Sequence, residues 1–274
     1  MTALPRLDNA RARALFLHRH GLAEPPSGPG RGEDLRGVIG DLGFVQLDSI
    51  STVARAHHMI LHARRTAYRP GALHRLHDRE RAVFEHWTHD ASMIDMRWFP
   101  HWRHRFRRDA AELDARWSGR DFRPRLDAVL RRIADEGPCA VGDLEDETPR
   151  GPGVWWNWTP TKAALEYLWR AGHLSVARRE AFRKVYDLTE NVIPAQHLNA
   201  ARSEDETLHW ACNAALDRLG FATSGELAAF WDLVSPADAK AWTAEALARG
   251  EIVEAEIEQA DRRLRRVVLR PETL

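Results

Sequence analysis

Gln46, Leu47 and Asp48 sit inside "GFVQLDSISTVARAHH", residues 43–58, where an amide and a carboxylate occupy alternate positions of an apolar run. Side chains alternate across a strand, so Gln46 and Asp48 face one way while Val45 and Leu47 face the other. One face packs and the other presents polar chemistry. An amide both donates and accepts, so Gln46 can orient a water or a ligand. A carboxylate stabilises a developing cation or takes a proton from water, and Asp48 is the candidate for both tasks. The same residue types also fit a simpler role: an Asp followed by Ser at a strand end caps the next helix, and Gln46 then satisfies backbone groups.

Cationic candidates follow. Arg55, His58, His62 and Arg65 recur at three- and four-residue spacing on a helix expected over about residues 51–65, a stripe suited to phosphate contact or to a solvated face. His86 and His89 flank Trp87 and Thr88 in "RAVFEHWTHDASMI" and read either as the lining of a binding channel or as buried, backbone-bonded histidines. Lys162 and Arg170 on a later helix, and Arg178 and Arg179 in a hairpin turn, are natural phosphate contacts. Trp155, Trp156 and Trp158 either stack on bases or anchor packing, and "WRHRFRRD", residues 102–109, is a channel wall or a solvated helix face. No histidines or cysteines recur with metal-ligand spacing, so no metal and no cofactor is expected.

The whole-chain charge is zero over 274 residues, yet its distribution is uneven. Residues 55–132 hold 18 Arg against 10 Asp plus Glu and nine of the 14 His, which points to a cationic surface for an anionic partner. Only Lys162, Lys184 and Lys240 are lysines, so amine-nucleophile chemistry has little to draw on. Cys139 and Cys212 lie far apart with no CxxC and read as two buried thiols in a reducing compartment. The amino-terminal residues lack the apolar core of a signal peptide, and nothing approaches the roughly 18 apolar residues of a membrane span. The expectation is a cytoplasmic, monomeric protein without a membrane partner.

The elements that must position these residues come from punctuation and periodicity. Asp8 or Asn9 caps a first helix, residues 24–34 form a loop, and a short helix over residues 35–41 stops at Gly43 before the strand "FVQLD". A helix over residues 70–76 and a strand and turn over residues 81–94 come next. A second set has a helix over residues 123–136, a short helix after Cys139, a helix opened by Thr159-Pro160 and closed by Gly172, and two strands within residues 173–188. Helix, helix, helix and two-stranded wing is the order of a winged helix. A third set repeats it with helices over residues 204–219, 223–230 and 236–249 and two strands after Gly250. "RAGHLSVA" and "ARGEIVEA" occupy the same point in the two sets, 78 residues apart. The fold class is therefore mainly α with small β wings (α+β), divided as residues 1–121, 122–195 and 196–274.

"LGFVQLDSISTVARAHHMIL", "FEHWTHDAS" and "VWWNWTPTKAALEYLWRAGHLSVARREAFRKVYDLTENVIP", in this order and with nearly the whole chain between and around them, resemble the tandem winged-helix DNA glycosylases of the YcaQ and AlkZ type. The resemblance implies three winged-helix units around a concave DNA channel and excision of N7-alkylated purines, including unhooking of interstrand crosslinks. It also implies that Gln46-Leu47-Asp48 is the catalytic Gln-apolar-Asp element, the version similar to the YcaQ branch. Related proteins continue past the third wing into a β-rich carboxy-terminal region, which this chain, ending at Leu274, is expected to lack. With no lysine in the tripeptide, the expected activity is monofunctional: water, not a Schiff base, traps the sugar, and the partner is double-stranded DNA carrying alkylated or crosslinked purines. A non-catalytic winged-helix regulator is the alternative, although a dimerisation helix and a single dominant recognition helix are both missing from the pattern.

Overall fold

The computed structural model describes residues 3–118, 122–144 and 159–274. The chain forms two compact units, one of Met1–Arg69, Thr88–Asp90 and Arg202–Leu274, the other of Pro70–Trp87 and Ala91–Ala201.

A two-residue strand β1 (Arg6–Leu7) leads into α1 (Asn9–Arg19), whose amino terminus is capped by Asp8 accepting from the Arg11 N–H at 2.8 Å. Next come α2 (Gly32–Leu42), which buries Leu35, Val38 and Ile39, and β2 (Phe44–Gln46). The helix after β2 is shorter than its sequence suggests: α3 runs only over Ala56–His62. Its expected first turn is instead a bend closed by a bridge, because the Asp48 carboxylate accepts from the Ile50 N–H at 2.8 Å and Ser51 bridges Arg55. Ile50, Thr52 and Val53 are β-branched, and local side-chain acceptors compete with helix hydrogen bonding, so both effects disfavour a helix there.

The other unit opens with α4 (Pro70–Asp78) and the hairpin of β3 (Val83–Trp87) and β4 (Ala91–Asp95), paired antiparallel with His86 opposite Ser92. Then α5 (Phe99–Arg116) carries the basic run of residues 102–109, which is not simply a solvated face. Trp102, Arg105, Phe106 and Asp109 recur on one stripe and are buried. After α6 (Leu126–Glu136), β5 (Cys139–Ala140) and α7 (Val141–Leu144), helix α8 (Pro160–Arg170) is capped by Thr159 and has Pro160 at its first position. The wing strands β6 (Leu174–Glu180) and β7 (Arg183–Leu188) follow, then two single turns, α9 (Thr189–Val192) and α10 (Ala195–Leu198). The core of this unit packs Leu113, Trp117, Phe122, Ile133, Leu168 and Trp169 together.

The chain then returns to the first unit. Helix α11 (Glu204–Leu219) and, after β8 (Phe221–Ala222), helix α12 (Ser224–Trp231) each begin with a capping box, Ser203 with Glu206 and Thr223 with Glu226. Helix α13 (Pro236–Ala248) and the wing β9 (Val253–Glu258) and β10 (Leu264–Leu269) complete it.

Element order repeats three times: helix, short strand, two helices, two strands, beginning at α2, α6 and α11. In the second and third sets the short strand pairs antiparallel with the last wing strand, β5 with β7 and β8 with β10. That shared topology makes the sequence echo structural. One pairing has no counterpart in the sequence reading: β1 lies parallel to β9, with Leu7 opposite Ile257, so the amino terminus becomes a fourth strand of the third wing sheet. Among the described residues no helix is long and apolar enough to cross a membrane.

Candidate functional site

What aims Gln46 and Asp48 is the turn at Gly43. The backbone there has φ +91°, and a Cβ would lie 2.9 Å from the Trp231 ring and 3.1 Å from the Arg218 side chain. Only glycine allows α2 to stop and β2 to leave at that angle against α12. Phe44 then packs on Phe230 and Trp231 at 5.6 and 5.9 Å. Arg218, on α11, donates through Nη2 to the Gly40 carbonyl at 2.6 Å, which also accepts from the Gly43 N–H at 3.1 Å, so this acceptor at the end of α2 is doubly bonded.

Beyond β2 the alternation continues although the strand does not. Val45 and Leu47 are buried, Gln46 is exposed and Asp48 is half-buried. The Asp48 N–H donates to Nδ1 of the buried His57 at 3.2 Å, so that nitrogen is the acceptor and the ring proton sits on Nε2. Oδ1 of Asp48 accepts from Ile50, as noted above. That bond closes a two-residue turn and does not cap α3, which begins eight residues after Asp48. Among the described residues no ion pair engages Asp48. A half-exposed carboxylate held by its own backbone, beside an exposed amide, can face a cationic centre and a water.

Among the cationic candidates in this unit, the helical stripe dissolves with the shortening of α3. Arg55 precedes the helix and Arg65 follows it, leaving only His58 and His62 within it. His58 Nδ1 hydrogen-bonds the Tyr68 hydroxyl at 2.8 Å, Arg65 pairs with Asp34 at 2.9 Å, and His62 is exposed. His89 is exposed in the β3–β4 turn, its ring 6.1 Å from Phe44.

In the other unit the binding-surface readings of three residues are revised. His86, read either as channel lining or as a buried, backbone-bonded histidine, is the second: it is 3% exposed, lies between Phe106 and Trp169, and hydrogen-bonds through Nε2 with the Trp169 carbonyl at 3.1 Å. Burial, then the Arg105 charge, push its pKa well below the ordinary histidine value, so it is a neutral core group. Arg179 makes two 2.7 Å hydrogen bonds to the fully buried Glu85 carboxylate and a third to the Phe182 carbonyl. Arg170 donates to buried Asp109 at 2.6 Å and covers the Trp87 ring at 4.5 Å. Both guanidinium groups are largely buried and committed to buried carboxylates rather than presented on the surface. Their spacing in the sequence looks the same as that of exposed arginines; the carboxylates that claim them lie 94 and 61 residues away. Lys162 is exposed on the first turn of α8, and Arg178 is partly exposed on β6, paired with Glu180 at 2.8 Å, rather than in the turn, which Ala181 and Phe182 form. Trp155, Trp156 and Trp158 lie outside the described residues.

Two residues that matter to the site were not singled out in sequence. His57 is visible there only as one of a pair of histidines, and Arg218 has no local signal at all. Each is defined by a partner brought up by folding.

Three repeats of helix, strand, two helices and wing, with a carboxylate and an amide at the end of the first short strand, define the class: a tandem winged-helix protein. Residues 39–274 match the family model described as DNA glycosylase AlkZ-like, and the chain belongs to that family. The fold is similar to that of the Streptomyces sahachiroi DNA glycosylase AlkZ, with a TM-score of 0.65 at 15% identity over 97% of this chain and 71% of that one. The protein is a DNA glycosylase, and DNA is its partner.

Proposed function

We propose that this glycosylase hydrolyses the N-glycosidic bond of N7-alkylated purines in double-stranded DNA, including those joined in interstrand crosslinks, with Asp48 and Gln46 as its catalytic pair. Alkylation at N7 makes the purine cationic and already a good leaving group. The C1′–N9 bond breaks with its electron pair leaving on the base, which departs neutral. The sugar is left as an oxocarbenium-like cation. Asp48 stabilises that cation and accepts the proton of the water whose oxygen bonds to C1′, while Gln46 orients the water. The products are the free modified base and an abasic site. The first lysine in the chain is Lys162, so no amine accompanies the Gln46–Asp48 segment, which supports water as nucleophile.

The observation that carries this reading is the half-exposed Asp48 carboxylate, which no ion pair engages among the described residues, beside exposed Gln46. His62, His89 and Lys162, all exposed, and the partly exposed Arg178 are the proposed phosphate contacts, with Arg55, His58 and Arg65 around α3. A monomer acting on the chromosome in the cytoplasm completes the proposal. The test uses duplexes carrying N7-methylguanine or a nitrogen-mustard crosslink, treated with protein and then mild alkali. Strand cleavage at the lesion is expected with the wild-type chain and is expected to vanish in Asp48→Asn while binding persists. Intact lesions with wild-type protein, or full activity in Asp48→Asn, overturn it.

A further inference from the structure

Directly after Asp48 the chain does something unusual for a surface loop. Ile50 is 69% exposed, Val53 92% and Met59 52%. Three of the seven large apolar side chains exposed among the described residues thus fall within ten residues, all immediately downstream of the proposed catalytic carboxylate. Single exposed apolar groups need no explanation, but a concentration beside a site does.

The loop is built to hold them out. Asp48 Oδ1 pins the Ile50 N–H at 2.8 Å, and the antiparallel bridge between Ser51 and Arg55 pinches Thr52, Val53 and Ala54 into a three-residue tip with Val53 at its apex. Ile50 and Val53 are both β-branched, so their χ1 angles are stiff and the projection is firm. Residues 49–69 contain four Arg and no Asp or Glu; Arg64 is buried and Arg65 pairs with Asp34, while Arg55 sits at the base of the tip and Arg69 is exposed, a local charge that suits a polyanion. N7 of a purine lies on the major-groove edge, so an alkyl group or crosslink there fills that groove. A carboxylate that reaches C1′ beside such a lesion comes from the minor groove, and a tip five residues away comes with it.

We propose that the tip formed by residues 50–54 is a minor-groove wedge: Val53, supported by Ile50, presses between the base steps next to the lesion and opens the stack so that Asp48 reaches the sugar. Apolar wedges entering from the minor groove are a general way to unstack and kink a duplex. The inference rests on the assignment of Asp48 to catalysis, and the experiment separates the two.

A duplex with N7-methylguanine and 2-aminopurine at the neighbouring step reports unstacking as a rise in fluorescence, read before excision with active protein and free of excision in Asp48→Asn. The rise is expected with wild-type protein and equally with Asp48→Asn. In Val53→Ser and in Ile50→Ser/Val53→Ser it is expected to disappear, with excision slowed about tenfold or more, the scale of losing one buried aliphatic side chain. Val53→Ile is expected to keep both. These positions are solvent-exposed, so an unchanged melting temperature accompanies the loss. A wild-type fluorescence rise and excision within about twofold in the double variant overturns the wedge. Excision persisting in Asp48→Asn overturns the catalytic assignment instead and leaves the fluorescence result to decide the wedge on its own.

Discussion

Arg179 offers the sharpest contrast between what a sequence suggests and what a fold does with it, and Arg179→Met isolates that contrast. Its guanidinium makes two parallel hydrogen bonds of 2.7 Å to Glu85, whose side chain is 0% exposed. Burial pushes the Glu85 carboxyl up, but the Arg179 hydrogen bonds and charge, together with the Lys184 and His77 charges, outweigh burial and hold it below its ordinary value. Removing the guanidinium leaves a carboxylate without its main partner in a dry site and also strands the Phe182 carbonyl. Breaking a buried pair on one side costs about 3–5 kcal/mol. For a chain of this size that is a fall in Tm on the order of 10 °C. The pH dependence has a definite sign. In the wild type the depressed carboxyl contributes stability that is present above its unfolded pKa of about 4.3 and is lost as pH falls through the folded value. In Arg179→Met burial acts with less opposition and raises the folded pKa, so the variant loses stability as pH rises. The deficit is therefore largest near neutrality and shrinks in acid. Glu85→Gln combined with Arg179→Met is expected to recover a large part of the loss. Thermal melts from acid to neutral pH, alongside the salt dependence of DNA binding, provide the assay. A Tm within a degree or so of wild type, together with a salt slope reduced by about one, would place Arg179 on a phosphate and refute the internal assignment.

Two further outcomes follow from the structure. Gly43→Ala combines a positive φ, costing about 1–2 kcal/mol, with a Cβ pressed on Trp231, and is expected to lower stability by roughly 2–4 kcal/mol. Because the turn aims β2, excision should fall in that variant even at temperatures where it is fully folded; full activity there would detach the turn from the site. The thiols of Cys139 and Cys212 are buried, and burial pushes them up to about 11 and about 12, with Asp143 and Asp238 adding to the rise. Both should resist a thiol reagent at neutral pH until the protein unfolds; rapid labelling of either in the native state would contradict their burial.

Local chemistry made much of this protein legible. Asp8 and Thr159 cap their helices, Gly43 and Gly172 end theirs, and the winged-helix order follows from that punctuation and from apolar periodicity. The alternation of Val45 and Leu47 against Gln46 and Asp48 was visible for the same reason: a two-residue period needs no distant partner to specify it. The amino-terminal boundary of α3 was not, because a turn at Asp48 and a bridge between Ser51 and Arg55 compete with the helix in a way composition alone does not rank.

What only the tertiary structure decided is who partners whom. An arginine carries the same charge whether it faces solvent or a buried carboxylate, so Arg178 and Arg179, adjacent in sequence, differ only because β6 turns one outward and the other onto Glu85. Arg218 reaches the Gly40 carbonyl from 178 residues away, and β1 finds its neighbour in β9 at the far end of the chain. Hydrogen bonds and ion pairs depend on distances of a few ångströms, and those distances are set by packing between segments whose proximity no local pattern encodes.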